Sequence, residues 1–161
     1  MSIPDTRLMH GAALIPMIEY GQFKALNKPN AAGKNLYVLN NDTPFLVKFA
    51  RKTTSAGLWP FTFSAKELAV GRELVRRHGE CFAVLVCYPG TVCLLDWKGL
   101  SQVLNVSSFK AEAIRCGTPK AKWIRVEGGR ASEHKQLKVP AASFPKKLFR
   151  SPPAKSSRIA A

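Results

Sequence analysis

The spacing of apolar residues shifts along the chain, and each shift predicts a different element. From Asp5 to Tyr20, Leu8, Ala12, Ile15 and Ile18 recur every three or four positions, the period of one helix face. Asp5 is placed to cap this helix and Gly21 to end it, while Pro16 removes a hydrogen bond and predicts a short or kinked element. The mixed stretch 21–34 has room for one short strand near Gln22–Leu26. Two β-prone runs follow, Leu36–Leu39 and Phe45–Phe49, joined by Asn40-Asn41-Asp42-Thr43-Pro44. Asn and Asp take turn conformations readily, so this reads as a hairpin. In Phe61-Thr62-Phe63 the alternation sets both rings on one face.

Ser64-Ala65-Lys66-Glu67 is an S-x-x-E capping box, in which the first and last residues each satisfy a free backbone N–H at a helix start. Leu68, Gly71, Leu74 and Val75 continue at helical spacing, and His78-Gly79 supplies the stop. Cys81–Cys87 is apolar throughout, as a strand covered on both faces requires. Tyr88-Pro89-Gly90-Thr91 predicts a type II turn into Val92–Leu95, giving a second hairpin. Asp96 then caps a helix bearing Trp97, Leu100, Val103 and Leu104. Further on, Lys122–Val126 and His134–Val139 read as strands joined at Gly128-Gly129, and Phe144, Leu148 and Phe149 are left to pack.

These elements predict an α+β fold. Residues 1–150 are expected to form a single domain with a mixed or antiparallel central sheet and two main helices, and 151–161 a disordered, flexible basic tail. With 161 residues, 46% of them hydrophobic, the chain can bury one core, which excludes a wholly disordered protein. No apolar run reaches the roughly 18 residues of a membrane span. The first 20 residues, with Asp5, Arg7 and Glu19, lack the pattern of a secretory signal. Cys81, Cys87, Cys93 and Cys116 form no C-x-x-C pair, and His10, His78 and His134 are scattered, so no metal site is predicted. Apolar surroundings make the cysteines reduced structural thiols of a cytoplasmic protein, and no cofactor is called for.

Charge changes the picture. Against 10 Asp+Glu stand 25 Lys+Arg, a net +15. No acid follows Glu133, while Lys135, Lys138, Lys146, Lys147, Arg150, Lys155 and Arg158 do. A second acid-free stretch, Thr43 to Lys66, holds Lys48, Arg51 and Lys52 among the rings of Trp59, Phe61 and Phe63. Such a surface attracts polyanions, and nucleic acid, DNA or RNA, is the predicted partner, bound through its phosphates with little sequence preference. Lys48, Arg51, Lys52, Lys146, Lys147 and Arg150 are the predicted phosphate contacts, with Trp59 a stacking residue. The same three rings also suit the buried face of a strand. An acidic protein partner docking on the tail is an alternative; a membrane is not predicted, because the tail lacks an amphipathic stripe.

The order helix, three strands, helix, strand over residues 5–95 resembles the core of the PD-(D/E)XK nuclease superfamily. That resemblance implies a Mg²⁺-dependent nuclease, in which clustered carboxylates hold the ion and a lysine steadies the attacking water or the phosphate. On it, Asp42 is the strand acid, Lys48 the lysine and Glu19 the helix acid. Leu46 stands two residues before Lys48, where the second acid falls, and Glu67 replaces it if the carboxylate has moved to the following helix. Read without the resemblance, Asp42 is a turn residue, Glu67 half of a capping box and Lys48 a solvated strand residue. The function expected is therefore nucleic-acid binding, with a nuclease or a degenerate relative as the alternative.

Overall fold

The computed structural model describes residues 2–29, 35–128 and 136–149. The expected mixed or antiparallel sheet is two sheets, one of each kind. The mixed sheet has five strands in the order β1 (Leu26–Asn27), β2 (Leu36–Leu39), β3 (Thr43–Ala50), β5 (Phe82–Cys87), β6 (Thr91–Leu95). The antiparallel sheet has four, in the order β4 (Trp59–Phe63), β7 (Glu112–Cys116), β8 (Trp123–Gly128), β9 (Gln136–Pro140). Three α-helices accompany them: α1 (Asp5–Glu19), α2 (Ala65–His78) and α3 (Trp97–Val103). Strands β3 and β5 run parallel, from Phe45 beside Phe82 to Ala50 beside Cys87. A parallel pair needs a long crossover, and the segment carrying β4 and α2 supplies it.

Strand alternation decides what each face covers. Phe45 and Val47 of β3, with Val84 and Val86 of β5, pack under Met9, Ala13 and Met17 of α1. On the opposite face, Leu46 meets Leu74 of α2. There Ala83, Leu85 and Cys87 of β5 and Cys93 and Leu95 of β6 meet Phe61, Phe63, Ile114, Ile124 and Val126 of the second sheet. The layers are therefore α1, the mixed sheet, and then α2 beside the antiparallel sheet.

Several local expectations are realised atom by atom. The Ser64 hydroxyl accepts the Glu67 N–H (3.1 Å) while Glu67 Oε1 accepts the Ser64 N–H (2.9 Å), and Gly79 ends α2 at φ 85°. Asp96 accepts the Gly99 N–H at 2.7 Å and starts α3. In the first hairpin Leu39 pairs with Thr43, and Asn40 and Asn41 take φ of 51° and 65°. Asn40 Oδ1 also accepts the N–H groups of Lys24 and Ala25, tying the preceding segment to the turn.

Other elements differ from expectation. In α1 the stripe Leu8, Ile15, Ile18 is exposed, and the residues beside it, Met9, His10, Ala13 and Met17, face inward. His10 is accommodated because its Nδ1 hydrogen-bonds with the Tyr37 hydroxyl at 2.8 Å. The N-cap is Pro4 rather than Asp5, and α1 runs past Pro16 to Glu19. Strand β7 had no counterpart among the predicted elements: Glu112 and Arg115 mask its short alternation. The second hairpin does not turn by a type II geometry, since Gly90 is not left-handed and the Tyr88–Pro89 peptide is cis. The expected turn at Gly129 and the start of the last strand lie outside the described residues, as do Arg150 and the tail 151–161. No described helix is long and apolar enough to cross a membrane.

All four cysteines are buried and free. Burial, with Glu80 beside it, pushes the Cys81 thiol up to about 12. Hydrogen bonds with Cys87 and Cys93, together with burial, hold the Cys116 thiol well above the usual range. Gly11 lies inside α1 with nothing within 4 Å of the position a Cβ would take. Gly11→Ala is accordingly expected to stabilise the protein by about 1 kcal/mol, read as a raised urea midpoint at unchanged slope.

Candidate nucleic-acid interface

Lys48 points from β3 toward α2, not into solvent. Its Nζ donates to both oxygens of Glu67 at 2.8 Å, and Asn35 Nδ2 donates to Glu67 Oε2, also at 2.8 Å. The Lys48 and Glu67 side chains are 17% and 21% exposed. Burial pushes the Glu67 carboxyl up, but the hydrogen bonds from Lys48, the Ser64 N–H and Asn35, with the lysine charge, outweigh burial and hold it below the usual carboxylate range. The pair therefore ties the start of α2 to the middle of β3.

Asp42 and Glu19 are elsewhere. Asp42 lies in the β2–β3 turn, accepting from the Thr43 hydroxyl at 2.8 Å. It is six residues from Lys48 along an extended strand, or about 20 Å. Glu19 is the last residue of α1, on the face of the mixed sheet that Lys48 does not share. The four residues of the expected catalytic set thus reduce to one pair, Lys48 with Glu67. Mg²⁺ does not suit that pair: a hard cation needs free carboxylate oxygens, and both oxygens of Glu67 face N–H donors. Among the described residues, no group of three His, Cys, Asp or Glu is disposed to hold a metal ion.

The expected phosphate contacts are spread over the molecule. Arg51 donates to Asp5 Oδ2 at 2.6 Å and lies over the Tyr88 ring, 6.0 Å from its centroid. Lys52 is exposed, and so is Lys146. Lys147 donates to Asp96 Oδ2 at 2.7 Å. Burial raises the Asp96 carboxyl, but this lysine and the Gly99 N–H bring it below its usual range. Arg51 and Lys52 follow the C-terminal end of β3, where Ala50 pairs with Cys87. Asp96 follows Leu95, which pairs with Ala83 at the other end of β5. Lys147 and Arg51 therefore mark opposite ends of the mixed sheet and do not form one track. Trp59 is not a stacking surface either. It is 6% exposed, its indole N–H donates to the Tyr88 carbonyl at 2.9 Å, and it packs in the core.

Cations do gather on a face the sequence reading passed over, the outer side of the antiparallel sheet. Ile124 and Val126 of β8 point into the core, which turns Trp123, Arg125 and Glu127 outward. Register sets Arg125 opposite Lys138, Glu127 opposite Arg115, and Trp123 opposite Pro140. At the near end, Lys120 and Trp123 exchange backbone hydrogen bonds of 2.9 and 3.0 Å around a tight turn, with Ala121 at φ 55°. Lys120 and the exposed Lys122 flank that turn.

The face thus carries Arg115, Lys120, Arg125 and Lys138 against the single acid Glu127, with Lys122 exposed at its edge. Glu127 engages Arg115 at 3.3 Å and Arg125 at 3.9 Å. A groove of about 530 Å³ runs along this end, lined by Gly57, Leu58, Lys120, Trp123, Arg125 and Lys138. Gly57 and Leu58 end the loop that begins at Arg51 and Lys52, so that loop walls the groove. The signal in the sequence was Lys120-x-Lys122-Trp123-Ile124-Arg125-Val126, in which every polar or aromatic residue from Trp123 onward alternates with an apolar one.

No protein-family model and no curated protein matches the sequence. Among solved structures, the chain is similar to Archaeoglobus fulgidus Hjc, a Holliday junction resolvase from an archaeal hyperthermophile. The likeness has 11% sequence identity and a TM-score of 0.44, and it covers 89% of this chain and 89% of that one.

Proposed function

We propose that this protein binds nucleic acid through phosphate contacts along the outer face of the antiparallel sheet. The observation that carries this reading is the gathering of four cations and one acid on one exposed, open surface, in a chain of net charge +15. Each phosphate neutralised there releases counterions, so binding weakens as salt rises. The test is fluorescence anisotropy with labelled oligonucleotides from about 50 to 200 mM salt. Replacing Lys120, Arg125 and Lys138 together by Gln is expected to reduce the slope of log affinity against log salt by roughly 2 to 3, and to weaken binding at least about tenfold. An affinity of the unaltered protein that hardly responds to salt, or a variant with the same slope, overturns the reading.

A second reading adds to the first: a nuclease-like scaffold that contacts nucleic acid but has lost its metal set. It is favoured by the parallel β3–β5 pair with α2 in its crossover, behind α1 and β1 to β3, although β4 stands between β3 and α2 and pairs in the other sheet, and by Lys48 standing beside Glu67. Supercoiled and branched DNA incubated with Mg²⁺ are then expected to stay intact. Cleavage that disappears in Lys48→Ala overturns this degenerate reading in favour of an active enzyme.

A further inference from the structure

Resting on the phosphate-contact reading, we propose that the groove selects single-stranded nucleic acid, with Trp123 stacking on an unpaired base and Arg125 and Lys138 holding the flanking phosphates. Trp123 is 48% exposed, although Ile124 and Val126 on the same strand supply the buried face. Its ring stands among cations. Arg125 follows two residues along the strand, about 7 Å away, and Lys138 lies across from Arg125 at about 5 Å. Lys120 closes the turn at the other side through the paired backbone hydrogen bonds.

The position of the ring is fixed by the turn and by the β8–β9 register, so little freedom is lost when a ligand arrives. Small residues, Gly57, Gly117 and Ala121, also line the groove, and nothing lies within 4 Å of the position a Cβ would take at Gly57. The groove is therefore open beside the ring.

An exposed aromatic flanked by cations matches a strand whose bases are free better than a duplex. In a duplex each base is covered above and below by its neighbours, so a protein meets phosphates and groove edges but no free base face. In a single strand the π-face of a base is available, stacking adds to the phosphate contacts, and every base can take part, which suits weak sequence preference. Tryptophan also gains from a cation nearby and from burying its large apolar area under the base. The chemistry is shared by single-stranded DNA and RNA, and the oligonucleotides used separate them.

The experiment compares a single-stranded oligonucleotide of about 12 bases, as DNA and as RNA, with its duplex and with the same backbone made abasic. The proteins are the full chain, Trp123→Ala, Trp123→Phe and, as a control elsewhere, Phe109→Ala, since Phe109 is also exposed (89%). The full chain is expected to favour the single strand over both the duplex and the abasic backbone. Trp123→Ala is expected to lose roughly tenfold for the single strand, with the salt slope and duplex affinity unchanged, and Trp123→Phe to recover most of that loss. Phe109→Ala is expected to behave as the full chain. Thermal melts of each variant establish that the fold is retained. If Trp123→Ala binds single strand and duplex as the full chain does, or weakens both alike, the stacking proposal fails while the phosphate reading stands. If the full chain binds none of the nucleic acids, the phosphate reading itself fails.

Discussion

Glu67→Ala is expected to lower the free energy of unfolding by about 3 kcal/mol, because one side chain serves three partners. Its loss removes the reciprocal cap at the start of α2, worth about 1 kcal/mol. It also strands Lys48, only 17% exposed, without a counter-charge, and leaves the Asn35 amide without its acceptor. An uncompensated charge of this kind costs more than the lost attraction. Lys48→Met in the same background removes the stranded charge, so the double variant is expected to be more stable than Glu67→Ala alone. Urea midpoints of the two single variants and the double variant check this. The effect carries a pH signature. The Glu67 carboxyl lies below its usual range in the folded chain, so its contribution is fully present above the ordinary carboxylate pKa and is lost as the pH falls through the lowered folded value. The advantage of the natural protein over Glu67→Gln therefore shrinks in acid and is constant around neutrality.

Gly128→Ala is expected to cost a similar amount, about 3 kcal/mol, for a steric reason. A Cβ at Gly128 would lie 2.4 Å from the Val103 carbonyl oxygen. That atom is backbone at the end of α3, so it cannot swing aside as a side-chain tip would. Either α3 or the end of β8 must shift, and both are anchored in the core through Val103 and Val126. For a chain of this size the melting temperature is expected to fall by about 6 to 12 °C. A change within 1 or 2 °C would mean that the strand end gives way freely. Gly11→Ala in α1, where the same methyl meets open space, is the contrasting case and is expected to move the other way.

What could be read from the sequence divides by range. The capping box of α2, the Asp96 cap, the two hairpins and the fully covered strand β5 depend on residues a few positions apart, and all are present. The division into two sheets depends on pairs far apart: Trp59 leaves the mixed sheet and pairs with Cys116. Nothing local marks that choice. In α1 two stripes compete, and hydropathy favours the isoleucine and leucine stripe, whereas packing on β3 and β5 takes the methionine stripe one position along. The candidate interface was legible only in part, because counting charges does not reveal which are already paired. Lys48 and Lys147 are held by Glu67 and Asp96, while Lys120 and Lys138 have no ion pair among the described residues. Trp59 and Trp123 illustrate the same difficulty for rings. Both begin strands of the antiparallel sheet, yet the first faces the other sheet and the second faces water.

Burial of the four thiols has a practical consequence. An electrophile such as a maleimide reacts with thiolate at an accessible sulfur, and the folded chain offers none at Cys81, Cys87, Cys93 or Cys116. A cysteine introduced at Thr62 or Ala113, both exposed on the outer sheet face, becomes the one handle a fluorophore or spin label attaches to. Reporters can therefore be placed on the outer sheet face without deleting any native cysteine, and the native thiols time the opening of the core: Cys87, Cys93 and Cys116 when the two sheets part, Cys81 when α2 lifts from the mixed sheet.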